Sequence, residues 1–177
     1  MDFLTEQYIH SVQEPYLSEI QRYWLIKSYN DFPPKFSPNE WKKVCRITNC
    51  MAYALNLNRQ PQCIFEYIPY YPTYSCPNDI TKYITDFLNK LGIPHTQISQ
   101  PVDSTEKHYT IAIFYSSIEK DVHLIRRDEN NLWSHKMGWY SPPEQLGNNF
   151  TKIIAEFEKD TYVFCSFLAI HKPKEKK

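Results

Sequence analysis

The chain has 177 residues, 42% of them hydrophobic, and its 20 Lys and Arg residues balance 20 Asp and Glu residues. This length and apolar content predict one globular domain with a core of its own. Balanced charge gives no strong positive field, so nucleic acid is not an expected partner. No run approaches the roughly 18 apolar residues of a membrane span, and no Sec-type signal begins the sequence. We therefore expect a cytoplasmic protein, or one delivered without such a signal.

The cysteines are odd in number and scattered, and none forms a C-x-x-C pair. This pattern argues against both a disulfide framework and a zinc knuckle, and it favours a reducing compartment. We expect no metal and no organic cofactor. The five positions are Cys45, Cys50, Cys63, Cys76 and Cys165.

The first thirty residues carry apolar groups at helical spacing, interrupted by Pro15, which predicts two amphipathic helices. A proline-rich loop at 31–38 and a short helix at 38–44 follow. The next helix begins after Asn49 and ends before Pro61. We divide the single domain of residues 1–177 into a helical extension at 1–45, a core at 46–170 and a basic tail at 171–177.

The second half of the chain is richer in β-branched and aromatic runs. Helices followed by an antiparallel sheet define an α+β fold, with the helix after Asn49 packed across the sheet. The most strongly marked helix has Pro77 in its first turn and Gly92 at its end. The predicted elements are a strand at 62–68, that helix at 77–92, strands at 109–115, 122–127, 132–136 and 161–170, and a hairpin turn at 128–131.

Cys50 stands directly after a good capping residue, Asn49. A thiol in the first helical turn meets unpaired N–H groups and the positive end of the helix dipole, which lower its pKa. The sequence therefore predicts a nucleophile at Cys50. Cys76 is a rival, because it also precedes a helix, but that helix follows a long loop.

A base and its orienter are predicted on the hairpin. A turn near residues 129–130 places residue 123 opposite about 135 or 136, so His123 and His135 share one face of the sheet. His123 then takes the thiol proton and His135 fixes its tautomer, as in a nucleophile–base–orienter triad.

Several neighbours receive supporting roles. Asp121 lies on the same strand face as His123 and is an alternative orienter, and Trp133 packs the hairpin or shields the triad from water. The oxyanion donors are expected from the Cys50 N–H and from Asn49 or Thr48. We expect residues 126–127 to be a solvated end of a strand.

With these roles in place, the chain resembles the papain-like cysteine peptidase superfamily, most closely its NlpC-type branch, in which a histidine is often the third triad member. The resemblance implies a papain-like fold and a thiol hydrolase that cleaves an amide, peptide or isopeptide bond of a protein or peptide substrate through an acyl thioester. Two blocks also resemble a pattern of uncharacterised bacterial proteins in this superfamily: Asn49-Cys50-Met51-Ala52-Tyr53-Ala54-Leu55, and Asp121-Val122-His123 with Trp133-Ser134-His135-Lys136-Met137-Gly138.

Three other interpretations stay open at the level of sequence. An inactive binding module can inherit a fold without its chemistry. An acyltransferase or transglutaminase uses the same acyl thioester and differs only in the acceptor. A metal site built from His123 and His135 with Cys50 or Cys76 is a minor alternative, because no local chelating motif supports it.

Overall fold

The computed structural model describes residues 18–28, 30–46, 48–57, 76–138 and 140–174. The predicted strand at 62–68 and the first predicted helix lie outside these residues, as do residues 175–177 of the basic tail. None of the described helices is long and apolar enough to span a bilayer. The elements are α1 (18–28), α2 (Pro38–Lys42), α3 (Cys50–Ala54), α4 (Pro77–Lys90), β1 (His95–Ile98), β2 (His108–Ser116), β3 (Asp121–Arg127), β4 (Trp133–Lys136), β5 (Pro143–Gly147), α5 (Phe150–Lys159) and β6 (Val163–His171).

The predicted α+β class is confirmed, because the strands form one antiparallel sheet in the order β1-β6-β2-β3-β4-β5. The four strands predicted in the second half correspond to β2, β3, β4 and β6. Strands β1 and β5 and helix α5 were not predicted from the sequence. The two missed strands are short and polar, and they lie at the edges of the sheet, where the alternation of apolar residues is weak.

Each face of the sheet carries its own core. The first face is formed by Ile111 and Ile113 of β2 with Val122 and Leu124 of β3, and it is covered by α1, α3 and α4. The second face presents residues of opposite parity on the same strands, and α5 covers it. Its buried members are Ala112, Phe114, Ile125, Trp133, Ile153, Phe157, Tyr162 and Phe167.

The helix that carries Cys50 has only five residues, because a capping motif ends it after Ala54. Asn56 adopts φ 58°, the left-handed conformation that commonly ends a helix. The N–H of Leu57 then donates to the Ala52 carbonyl at 2.8 Å, and the N–H of Asn56 donates to Tyr53 at 3.0 Å. This pair of bonds is a Schellman motif, so the helix stops well before Pro61.

The expectation of a solvated strand end at 126–127 is wrong for Arg126, which is fully buried on the first face. Its Nε donates to Asp128 at 2.8 Å, and Nη1 donates to the Tyr53 carbonyl at 2.8 Å. The guanidinium also lies 3.9 Å from the centre of the Tyr53 ring. A buried charge is tolerated where it is paired and hydrogen-bonded, and these contacts meet both conditions.

Arg126→Met tests this buried ion pair. It leaves the Asp128 carboxylate buried without its cation, so we expect the free energy of unfolding in urea to fall by about 3–5 kcal/mol. The neighbouring Arg127 pairs with Asp103, whose side chain is 73% exposed, so Arg127→Met should cost less than about 1 kcal/mol. Asp128→Asn added to Arg126→Met should recover part of the loss. An equal decrease in the free energy of unfolding for the two arginine variants would contradict the buried ion pair of Arg126 and Asp128.

Candidate functional site

Two buried histidines meet on the second face of the sheet. His123 of β3 and His135 of β4 approach with Nε2 of the former 3.0 Å from Nδ1 of the latter. Their rings are nearly perpendicular, at 88°. Phe157 of α5 contacts both rings. One nitrogen of this pair donates and the other accepts, so the contact links the tautomer of one ring to that of the other.

The predicted register of the hairpin, with residue 123 opposite 135 or 136, was wrong by one or two residues. His135 pairs with Ile125, whereas the prediction placed it beside residue 123. The two histidines still share a face, because a shift of two residues preserves the alternation of side chains. Their contact is therefore diagonal across the strand pair, a distance that long or aromatic side chains bridge.

Cys50 approaches the same strand from the first face. Its thiol donates to the Val122 carbonyl, with sulfur and oxygen 3.6 Å apart, and the Leu124 backbone N–H also bonds to the sulfur. These two backbone groups flank His123 in the chain, but the His123 side chain lies on the second face, and no hydrogen bond within the described residues joins the thiol to its ring. The described pairing of β3 with β4 covers only 125–127, so the sulfur contacts β3 just beyond the point where that pairing ends.

The pKa of the Cys50 thiol differs from the prediction. Burial raises it to about 12, although the Leu124 N–H opposes the shift. The position of Cys50 in the first turn of a helix predicted a lowered pKa from the helix dipole. A five-residue helix supplies few aligned peptide groups, so the cost of placing a thiolate out of water dominates. The resting thiol is therefore protonated at neutral pH.

The histidines are also neutral at rest. Burial, together with the neighbouring His135, lowers the pKa of His123 to about 3. Burial lowers the pKa of His135 as well, while Glu144 opposes this shift. Glu144 stands directly across from His135 in β5. His135 thus lies between the base candidate and a carboxylate, which acts on it through charge and, within the described residues, without a hydrogen bond.

The three supporting residues have different positions. The Asn49 side-chain oxygen accepts from the Ala52 N–H at 3.0 Å, so it caps α3 as predicted. Asp121 accepts from the Tyr162 hydroxyl at 2.7 Å, while His135 holds Nε2 of His123. Trp133 is 1% exposed and packs against aromatic rings on the second face, which is the role of a core residue.

The rival thiol lies elsewhere. Cys76 precedes α4 as its N-cap residue, without a side-chain capping bond. Helix α4 packs against β6, on the opposite side of β2 from the histidine strands. Within the described residues, no group of three or more His, Cys, Asp or Glu side chains is arranged to hold a metal ion.

Two residues near the site were missed from sequence. Lys136 is completely buried beside α3, and Glu144 faces His135. The alternation of the strand already placed Lys136 on the opposite face from His135, but a lysine at a strand end is typical of a solvated residue. Glu144 belongs to a strand that the sequence did not predict. No protein-family model, curated protein or solved structure matches this chain.

The lowered pKa of His123 predicts a loss of stability in acid. The unfolded chain binds a proton at this ring below pH 6.5, whereas the folded protein does so only near pH 3. Stability is therefore complete above about pH 6.5 and falls as the pH decreases. When the pH falls from 7 to 5, the free energy of unfolding in urea should decrease by roughly 2 kcal/mol less in His123→Gln than in the wild-type protein. Cys50→Ala should keep the wild-type pH dependence, and an unchanged dependence in His123→Gln would refute the shift.

Proposed function

We propose that the protein is a papain-like thiol hydrolase that cleaves an amide, peptide or isopeptide bond, with Cys50, His123 and His135 as its triad. One observation carries the proposal: the Cys50 sulfur bonds to the backbone on both sides of His123, whose ring is held by His135. A nucleophile, a base and an orienter thus come from three separate elements.

In the proposed reaction, the Cys50 thiol leaves the Val122 carbonyl, its proton passes to His123, and the sulfur attacks the carbonyl carbon of the substrate. Both groups are neutral at rest, so the proton moves during attack, as in general-base catalysis. The tetrahedral intermediate collapses to an acyl thioester, and His123 returns the proton to the leaving amine. Water then attacks the thioester with His123 again as base, which releases the acid and restores the thiol.

His135 has an orienting role in this scheme. Its Nδ1 contacts Nε2 of His123, which leaves Nδ1 of His123 as the nitrogen for the thiol proton. When His123 becomes protonated during attack, the neighbouring imidazole accepts a hydrogen bond from it. Glu144 across the strand pair favours positive charge on His135 and so stabilises the protonated pair.

The raised pKa of Cys50 favours a second candidate function, a binding module without catalysis. A half-buried neutral thiol that bonds to a strand backbone also suits a packing residue. The two candidates differ in whether Cys50 forms an acyl thioester. A transferase forms the same thioester and is distinguished by adding a primary amine, which then receives the acyl group in competition with water.

Acylation by p-nitrophenyl acetate tests the proposed function. We expect a burst of nitrophenol and an acetyl group on the Cys50 peptide in mass spectrometry. His123→Ala should slow this acylation by about 100-fold or more, because it removes the base. His135→Ala should slow it by about tenfold, because it removes only the orienter. Cys76→Ala is the matched thiol control and should react as wild type.

The acylation experiment also has outcomes that refute the hydrolase. Acetylation of Cys76 in preference to Cys50 would show that Cys50 is not the nucleophile. Equal rates of Cys50 acetylation in the wild type and in His123→Ala would show that His123 is not the base. If Cys50 is not acetylated in the folded protein, the binding module becomes the better account.

A further inference from the structure

A buried lysine holds the backbone that leads into α3. Lys136 is fully buried at the end of β4. Its Nζ donates to the carbonyls of Thr48 at 2.6 Å, Gly138 at 2.6 Å and Cys45 at 3.0 Å. An ammonium has three N–H donors, so these three carbonyls use all of them.

The charge of Lys136 has no carboxylate partner among the ion pairs of the described residues. Carbonyl groups satisfy its hydrogen bonds but leave its positive charge uncompensated, which is costly out of water. Burial lowers the pKa of Lys136, while the nearby thiols of Cys45 and Cys50 raise it. An anion formed at Cys50 is therefore a natural partner for this charge.

We propose that Lys136 is a positioning residue that fixes the backbone before Cys50 and supplies the positive charge that stabilises the anion formed there during attack. This inference rests on the hydrolase function proposed above. The Thr48 carbonyl points to the ammonium, and the N–H of Asn49 in the same planar peptide points the opposite way. Lys136 thus fixes the direction of one donor at the start of α3.

Other groups near the Cys50 thiol also influence its pKa. Asp121 raises the pKa of Cys50, and Lys136 lowers it. The Tyr162 hydroxyl donates to Asp121 and lies within electrostatic range of Cys50. His123 and His135 are neutral at pH 7. The two charged groups therefore act on a Cys50 anion with opposite signs.

Opposite effects of two substitutions test the proposal. Lys136→Met removes the favourable charge, so alkylation of Cys50 by iodoacetamide between pH 8 and pH 10 should slow about five- to tenfold. Asp121→Asn removes the unfavourable charge, keeps an acceptor for Tyr162, and should accelerate it about two- to threefold. The reaction is measured peptide by peptide, with Cys76 and Cys165 of the same molecule as reference thiols.

Matched variants separate charge from packing. Lys43→Met removes a charge from an exposed lysine and should leave the Cys50 rate unchanged. Lys136→Arg keeps the charge and should recover part of the lost rate. If Lys136 only braced the fold, Lys136→Met would loosen the structure and expose Cys50. Faster alkylation of Cys50 in that variant would overturn the proposal.

A measurement on the wild-type protein covers the case in which Lys136→Met does not fold. A positive charge favours negatively charged iodoacetate over neutral iodoacetamide. The iodoacetate rate divided by the iodoacetamide rate should therefore be higher at Cys50 than at Cys76. A lower ratio at Cys50 would overturn the proposal. These rates require no substrate. If they match expectation while acetylation of Cys50 fails, the hydrolase is refuted and the charge effect remains.

Discussion

The buried guanidinium of Arg126 joins most of the parts that build the site. It bonds to Asp128 in the hairpin turn, to the Tyr53 and Asn56 oxygens at the end of α3, and to the Lys35 carbonyl before α2. These contacts come from three different stretches of the chain. Because an unsatisfied buried charge is costly, these stretches are held in one arrangement around the cation.

This network explains how a very short helix is fixed in place. Helix α3 has only five residues, too few for stability on its own. The Tyr53 hydroxyl hydrogen-bonds to Ser134 of β4 at 2.7 Å, and Ser134 donates to Asp128 at 2.5 Å. Lys136 holds the backbone just before the same helix. The position of Cys50 therefore depends on polar contacts to the hairpin as well as on apolar burial.

Charge is distributed unequally between the two faces of β3 and β4. The first face holds buried ions, Arg126 with Asp128 and Lys136, beside the Cys50 helix. The second face surrounds the neutral histidine pair with aromatic rings. An apolar setting keeps imidazoles uncharged, and a nearby cation stabilises an anion. The division thus gives an uncharged histidine pair on one face and a thiol near positive charge on the other.

The sequence by itself determined the α+β class, the four central strands, the capped start of α3 and the placement of His123 and His135 on one face. These features follow from local patterns, namely apolar alternation and a capping residue. Tertiary structure decided the rest. The hairpin register, the burial of Arg126 and Lys136, and the raised pKa of Cys50 depend on which segments cover each face, and a linear pattern carries no record of that packing.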